Sequence, residues 1–478
     1  MGRNEPRGQV LVIAAFAFAV IVMLLALVFD GAQGLVTRRT LQNTSDAAAL
    51  AGANILQAVN PRGCSASFGP PPGAPQASVV AAVKASVASN LPGYDLSKVV
   101  VTCPPGWDNA EVRVQLTASV PSFFGGIFGR DSLPVRSSSG AVNGQSSASA
   151  YSVIELDPSN LTWPNGRKGC PSFLLSGGPT AKFDSAIYLN STCKAVNGGA
   201  LSTNGNASNL TMSPGAQIRI VGEYKPAALT ITPPPLNNQK AKPDPLAWLP
   251  DPVISSMPVR SNAKLTQNGG TILLQPGVYK GGIQLKSSAK AYLKPGIYVI
   301  NGGGLDLGAQ TEVYSINASK ASTTASNWAA DCTPSACGVL IYNTGTASGG
   351  TAMDQIKVAA GSVLKMRAYN PDADTSAFKT EAYRNLLIWQ TAAPVPTSTY
   401  EQPMLALSGG GGVEMSGTVY APSAKVQMGG GSGGSGGGPV DLTLQFVSWD
   451  LELSGNSSFY FRYNANAFTR PLDYGLIE

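Results

Sequence analysis

The chain has 478 residues and a formal net charge of +6, from 33 Lys and Arg against 27 Asp and Glu. Charged residues make up only 13%, and Lys and Arg are scattered without aromatic interleaving, so we expect no nucleic-acid binding. The chain contains no histidine, which excludes Ser-His-Asp and Cys-His catalysis and every zinc site that needs a His ligand.

The remaining composition favours a mainly β protein. Glycine (54) and proline (35) are abundant, and 43% of residues are hydrophobic, which suits many short strands joined by tight turns. The length indicates two or three domains. In chain order we expect a transmembrane and extended helix at 1–59, a Pro-rich linker at 60–75, a small α+β domain at 76–150 and a β-rich extracytoplasmic domain at 151–478.

The first predicted element is a membrane anchor. Residues Val10 to Phe29 form a run of twenty residues without a charge, which as a helix spans about 30 Å, the thickness of the hydrocarbon core. The run is longer than the apolar core of a signal peptide, and no small-residue cleavage site follows it. We therefore expect an uncleaved single-pass helix in the cell membrane, with the C-terminal body in the periplasm or at the cell surface.

The helix is predicted to continue beyond the membrane, since no proline occurs between Asp30 and Pro61. Ala47, Ala48, Ala51 and Gly52 form a face of small residues. Such a face lets helices approach closely, so we expect it to serve assembly with other helices. The alternative explanation is the helix propensity of alanine alone.

The same segment resembles a known family. Arg7-Gly8-Gln9 before the apolar run, then Asp30, Arg38-Arg39 and LQNTSDAAALAGA, look like the N-terminal segment of the TadE/TadG-like Flp (Tad) pilus-assembly proteins, over roughly residues 7–55. The resemblance implies a membrane-anchored minor pilin or assembly factor whose partners are other pilus-assembly proteins or pilins. Some members are cleaved after a glycine, and a glutamate lies five residues beyond that glycine. In this chain the glycine would be Gly8, and the residue five positions later is Ile13.

The small α+β domain is predicted from local patterns. A helix over 77–91 carries its apolar residues at helical spacing, and strands are predicted at 98–103 and 111–120, the second with strict alternation. Phe123, Phe124, Ile127 and Phe128 form an aromatic cluster that belongs either to the core of this domain or to a contact with the membrane surface.

The body from 151 onward is predicted to be a parallel β-helix-like domain. Gln275-PGVY and Lys294-PGIY are near copies nineteen residues apart, and short strands with Gly and Asn at their ends suit stacked coils. A β-sandwich is the alternative. Inward residues of successive coils should form one aliphatic column, which we expect to contain Ile283, Leu285, Leu293, Ile297 and Val299. Two inserts interrupt the coils, a Pro-rich excursion over the surface at 233–258 and a Gly-rich loop at 429–438.

The cysteines support export of the body. All six follow the apolar run, and an even number in an oxidising compartment predicts disulfides. Several connectivities are open, and we favour the sequential one. The candidates are Cys64 with Cys103, Cys170 with Cys193, and Cys332 with Cys337.

We expect no catalytic, cofactor or metal site. The acids with the best spacing, Asp450 and Glu452, alternate on one strand, where exposed carboxylates are ordinary. A solvent-facing row of Tyr279, Tyr292, Tyr298 and Tyr420 would instead favour a surface glycan as partner, although we favour strand packing as the explanation of these tyrosines. The sequence thus predicts a membrane-anchored structural or assembly protein of a Tad/Flp-type pilus or related surface system. The alternatives are a glycan-binding adhesin and, more weakly, a polysaccharide-active β-helix enzyme.

Overall fold

The computed structural model describes residues 7–56, 63–65, 74–104, 110–122, 129, 131–145, 151–158, 172–205, 208–225, 229–345, 355–391, 405–408, 412–429, 440–456, 458–464, 466–469 and 472–477. These residues fall into two units, Met1–Ala148 with Pro471–Glu478 and Ser149–Arg470. The aromatic cluster at 123–128, Cys170 and most of the Gly-rich loop lie outside the described residues.

The elements of the structure, in chain order, are as follows. The first part of the chain contains α1 (Arg7–Ile55), α2 (Ala77–Asn90), β1 (Val100–Thr102), β2 (Glu111–Pro121) and β3 (Ser132–Gln145). Then come β4 (Tyr151–Glu155), β5 (Phe173–Ser176), β6 (Thr180–Phe183), β7 (Ala186–Leu189), β8 (Leu201–Asn204), β9 (Ser208–Met212), β10 (Ile218–Ile220), β11 (Leu229–Thr232), β12 (Val259–Ser261), β13 (Leu265–Asn268), β14 (Thr271–Leu274), β15 (Gly277–Lys280), β16 (Ile283–Lys286), β17 (Lys290–Leu293), β18 (Gly296–Asn301), β19 (Leu305–Leu307) and β20 (Glu312–Ser315). The last part contains α3 (Trp328–Asp331), β21 (Val339–Thr344), β22 (Ile356–Val358), β23 (Val363–Arg367), β24 (Leu386–Gln390), β25 (Leu405–Ser408), β26 (Val413–Gly429), β27 (Val440–Ser454), β28 (Ser458–Phe461) and β29 (Leu472–Ile477).

The first unit combines an antiparallel sheet with α1 and α2. The sheet has the strand order β1-β2-β3-β29. Val79, Val83 and Val87 of α2 are buried together with Val112, Val114 and Leu116 of β2. A spacing of four residues on the helix and of two on the strand places each set on one face. The helix and the two strands predicted here are confirmed.

Two strands of this unit, β3 and β29, were not predicted. β29 pairs antiparallel with β3, so the final residues belong to the first unit, whereas the sequence analysis assigned 151–478 to a single β-rich domain. The six residues of β29 contain no turn signal or repeat that links them to a strand near residue 140, and such distant pairing is not visible in a local pattern.

The second unit is built from parallel strands. From β12 to β23 each strand pairs in parallel with the strand three positions later, as β18 does with β21, so three strands complete one coil and three parallel sheets run side by side. The longer β26 pairs with β23, β24 and β25 along its length and so runs through all three sheets. The two near copies, Gln275-PGVY and Lys294-PGIY, lie on neighbouring coils. Their tyrosines, Tyr279 and Tyr298, stack with ring centroids 6.1 Å apart. This large parallel arrangement fits a β-helix-like fold and does not fit the antiparallel sheets of the β-sandwich alternative.

The order of the coils in space differs from their order in the chain. In the first of the three sheets the strands follow one another as β12, β15, β18, β21, β24, β26, β27, β4, β7 and β10. The last coil therefore pairs with the first, through Phe446 opposite Val153. The chain enters the stack three coils from one end, builds these three coils outward, and must then return to the far end before β12.

Residues 233–258, here called the strap, make that return. The strap crosses nine strand spacings, roughly 43 Å at about 4.8 Å each, which 26 residues of extended chain easily span. Its backbone meets β10 at Leu236, whose N–H donates to the carbonyl of Ile218 at 2.9 Å, and it reaches β15 at Pro258. Between these points Leu246 and Leu249 are buried against the outer face of the first sheet. The predicted excursion thus runs over the surface of the coils but is itself partly buried.

The strap divides the aliphatic residues into two groups. Ile283, Leu285 and Leu293 lie in the interior of the coils, as predicted. Ile297 and Val299 are buried too, but in the cluster beneath the strap, so the prediction that they join the interior column is wrong. Alternate residues of one strand point to opposite faces, and here both faces of β18 are covered.

Candidate functional site

The apolar run forms the first part of α1. Among the described residues, α1 is the one helix long and apolar enough to cross a membrane. Val10 and Phe29 both lie in it, and the described side chains between them are exposed, as at Leu11 (75%) and Phe16 (71%). An apolar surface of this size has no favourable contact with water, so lipid or other helices are its natural environment.

The second part of α1 packs on its own unit. Leu41, Ala48, Ala49 and Ala53 are buried. Leu41 and Ala48 are seven residues apart and Ala49 and Ala53 four apart, so all of them lie on one side of the helix. Gly52 lies on the same side, where a Cβ atom would stand 2.7 Å from a methyl of Val83. The LQNTSDAAALAGA segment is therefore a docking face for α2 and the sheet.

This finding changes the interpretation of the small residues. Ala48 and Gly52, which the sequence analysis assigned to association with other helices, contact residues of the same unit. Ala47 and Ala51 are only partly buried and lie beside them. The spacing of the small residues in the sequence indicates that another element approaches α1 closely. It does not indicate that this element is a helix and a strand of the same chain.

Polar residues of the same segment bind the sheet. The Asp46 carboxylate accepts hydrogen bonds from Gln42 at 2.9 Å and from the Ser139 hydroxyl, and the Ser45 and Ser139 hydroxyls lie 2.6 Å apart. A groove of about 620 Å³ opens beside them. It is lined by Gln42, Asp46, Arg113, Ser138, Ser139, Gly140 and Leu476. These hydrogen bonds fix the rotation of α1 about its axis relative to β3.

A further contact marks the end of the apolar run. The buried Asp30 accepts a hydrogen bond from Ser122 at 2.5 Å, so the first charged residue after the run is tied to the end of β2. Nothing in the sequence indicated Ser122 as its partner, because the two residues are 92 positions apart.

The structure contains disulfides in the favoured sequential pairing. Cys64 is bonded to Cys103 and Cys332 to Cys337. Cys193 is also disulfide-bonded, while its predicted partner Cys170 lies outside the described residues.

The acids considered for catalysis are buried. The side chains of Asp450 and Glu452 are only 4% and 7% exposed to solvent. The expectation that they lie on an exposed strand face is therefore wrong. Glu452 forms an ion pair with the equally buried Lys425. Glu155 of β4, fully buried, lies beside Ser448 of β27. No local pattern of residues indicates this cluster, because it forms only where the last coil meets the first.

The electrostatics of the cluster favour protonated acids. Burial raises the pKa of Glu155 well above its usual value, and the charge of Asp450 raises it further. Burial likewise raises the pKa of Asp450, with Asp157 adding to the shift and Lys425 opposing it. One carboxylate oxygen of Asp450 is buried and has no hydrogen-bond partner among the residues that the structure describes, which fits a neutral carboxyl better than a charged one. Among the described residues no group of three or more Cys, Asp or Glu is placed to hold a metal ion.

The four tyrosines named for glycan binding do not form a solvent-facing row. All are at most 6% exposed. The hydroxyls of Tyr279 and Tyr298 donate to the carbonyls of Gln275 and Lys294, at 2.7 Å in both cases. Tyr420 lies under the strap. The packing interpretation of these residues is therefore the one the structure supports.

Comparison with known proteins adds one match. Residues 8–54 match the family model described as "Putative Flp pilus-assembly TadE/G-like", which confirms the resemblance seen in the N-terminal segment. No curated protein and no solved structure matches the chain. The matched segment is the one that combines the apolar run with the docking face, so the similarity to this family lies in the N-terminal helix.

Proposed function

We propose that the protein is a membrane-anchored structural or assembly component of a Tad/Flp-type pilus or a related surface system. The observation that carries the proposal is the family match over residues 8–54, since those residues hold both the apolar run and the segment that fixes α1 to its sheet. The other pilus-assembly proteins or pilins are the proposed partners.

The proposed mechanism follows from the two parts of α1. The exposed apolar part packs against lipid or against helices of partner proteins. The part from Leu41 onward is held by Asp46, Gly52 and their neighbours. A load on the anchor is then transmitted to the sheet through a rigid contact rather than through a flexible linker.

The second unit is proposed to lie on the extracytoplasmic side as a β-helix body. Disulfides persist in oxidising compartments, and all six cysteines follow the apolar run. In this location a β-helix offers a stiff scaffold whose backbone is largely hydrogen-bonded and so resists proteases.

We also propose that the body catalyses no reaction. The carboxylates best suited to attack a glycan, Asp450 and Glu452, are enclosed, and Glu452 is paired with Lys425. Purified protein should turn over no member of a polysaccharide panel. Turnover that disappears in the Asp450→Asn, Glu452→Gln double variant would identify an enzyme instead.

The assembly role is tested in the native host. Deleting the gene should reduce the number of surface fibres counted by electron microscopy, and the full chain should restore it. A chain without residues 10–29 should not restore it. An unchanged fibre count in the deletion strain would contradict the assembly role.

A further inference from the structure

One end of the coil stack has free strand edges. β12, β13 and β14 form the outermost coil, and each pairs with a strand on one side, namely β15, β16 and β17. The described residues place no strand on their other side. The opposite end differs, because Leu236 and Gln239 of the strap exchange backbone hydrogen bonds with Ile218 and Ile220 of β10.

The direction of the free backbone groups follows from β13. The N–H groups of Leu265 and Gly269 donate to carbonyls of the next coil, at 3.0 and 2.9 Å. Because successive N–H groups of a strand point to opposite edges, those of Thr266 and Asn268 face the open side. The neighbouring strands of the same coil carry exposed apolar side chains, Val259 of β12 (46%) and Leu273 of β14 (39%). Such an edge is a template for another strand.

The same end carries a concentration of positive charge. Residues 259–305 contain six basic residues and no Asp or Glu. The charge of this stretch alone equals the net charge of the whole chain, +6, so the basic residues are less evenly scattered than we expected. Arg260, Lys264, Lys280 and Lys286 are exposed, and the ion pairs described in this stretch involve only Lys290. Lys264 precedes β13, and Lys286 is opposite Asn268.

We propose that this end is a docking surface for an acidic, extended segment of a partner protein, which adds a strand to the free edge of β13. Backbone hydrogen bonds would supply affinity and the surrounding lysines would select acidic side chains. A second copy of the same end would bring the cations of two chains together. A lipid surface has no row of carbonyl groups to accept hydrogen bonds from the backbone N–H groups of Thr266 and Asn268.

The proposal is tested with the full-length protein in detergent micelles. The probe is a fluorescent ten-residue peptide of alternating Glu and Val, with a Lys-Val peptide as its control, and binding is followed by fluorescence polarisation. We expect saturable binding of the acidic peptide only. The Arg260→Glu, Lys264→Glu double variant should weaken it at least tenfold, whereas Lys357→Glu, on a coil paired on both sides, should leave it unchanged.

A second variant separates the backbone from the charge. Thr266→Pro removes one free N–H without touching a bond to β16, so it should reduce binding at least tenfold with no change in melting temperature. Equal binding of both peptides, or no saturable binding, would overturn the proposal. So would binding to phosphatidylglycerol vesicles without peptide binding, or a concentration-dependent dimer that Thr266→Pro abolishes.

Discussion

The hydroxyl of Tyr420 donates a hydrogen bond of 2.7 Å to the Asp244 carboxylate, which lies 176 positions earlier in the chain. Tyr420 belongs to β26, near the middle of the stack, and Asp244 to the strap. Tyr342 makes an equivalent bond to Asp251 at 3.0 Å, and Tyr383 donates to the carbonyl of Pro250 at 2.8 Å. The strap is thus held to several coils by tyrosine hydroxyls, and it ties together coils that are distant in sequence.

The first prediction concerns this hydrogen bond. Tyr420→Phe leaves the largely buried Asp244 with one partner fewer, so the free energy of unfolding should fall by about 1–3 kcal/mol. Tyr224→Phe is the matched control, because its hydroxyl has no hydrogen-bond partner in the part of the chain that the structure describes. Urea denaturation of the two variants measures the difference, and an equal effect in both would show that the strap contact adds nothing.

The second prediction concerns pH. The pKa values of Glu155, Asp450 and Asp244 are all raised, chiefly by burial. The folded protein therefore holds these protons to higher pH than the unfolded chain does. Their contribution to stability is complete below the unfolded values near 4 and is lost as pH rises through the folded values.

Asp450→Asn removes one of these groups. It should raise the free energy of unfolding at pH 7 relative to the wild type and flatten its decrease between pH 4.5 and 8, as measured by urea titrations across that range. Glu414→Gln, on a more exposed side chain, is the control. A variant that is less stable than the wild type at pH 7 would mean that the charged form of Asp450 stabilises the fold.

The third prediction separates packing from helix association. Gly52→Leu places a large side chain against Val83 and Val112 and should lower the stability of the first unit by about 1–3 kcal/mol. Ala51→Leu, on the partly exposed neighbour, should cost much less. Thermal melting of both variants tests this. If Ala51→Leu instead abolishes cross-linking to partner proteins while stability is retained, the outer small residues do serve assembly.

The sequence predicts those parts of the fold that leave a local signal. The apolar run, α2, β2 and the repeated coil elements are visible from period and spacing alone. The pairing of the last coil with the first is not visible in this way. Phe446 and Val153 are adjacent only because the chain enters the stack inside it rather than at one end. The burial of Asp450 follows from that long-range order, so a local pattern could not reveal it. Ile297 is buried outside the interior column because the strap covers the outer face of β18, and no local pattern reveals the path of the strap.

The central claim is that the N-terminal helix anchors the chain and that the body lies outside the cytoplasm. Carbonate washing of membranes and protease added to cells with an intact cytoplasmic membrane test it most directly, with antibodies against the N-terminal and the C-terminal ends. We expect the full chain to stay in the membrane pellet and external protease to remove the body while a short N-terminal fragment remains. A soluble chain beginning near residue 35, or a body protected from external protease, would contradict the claim.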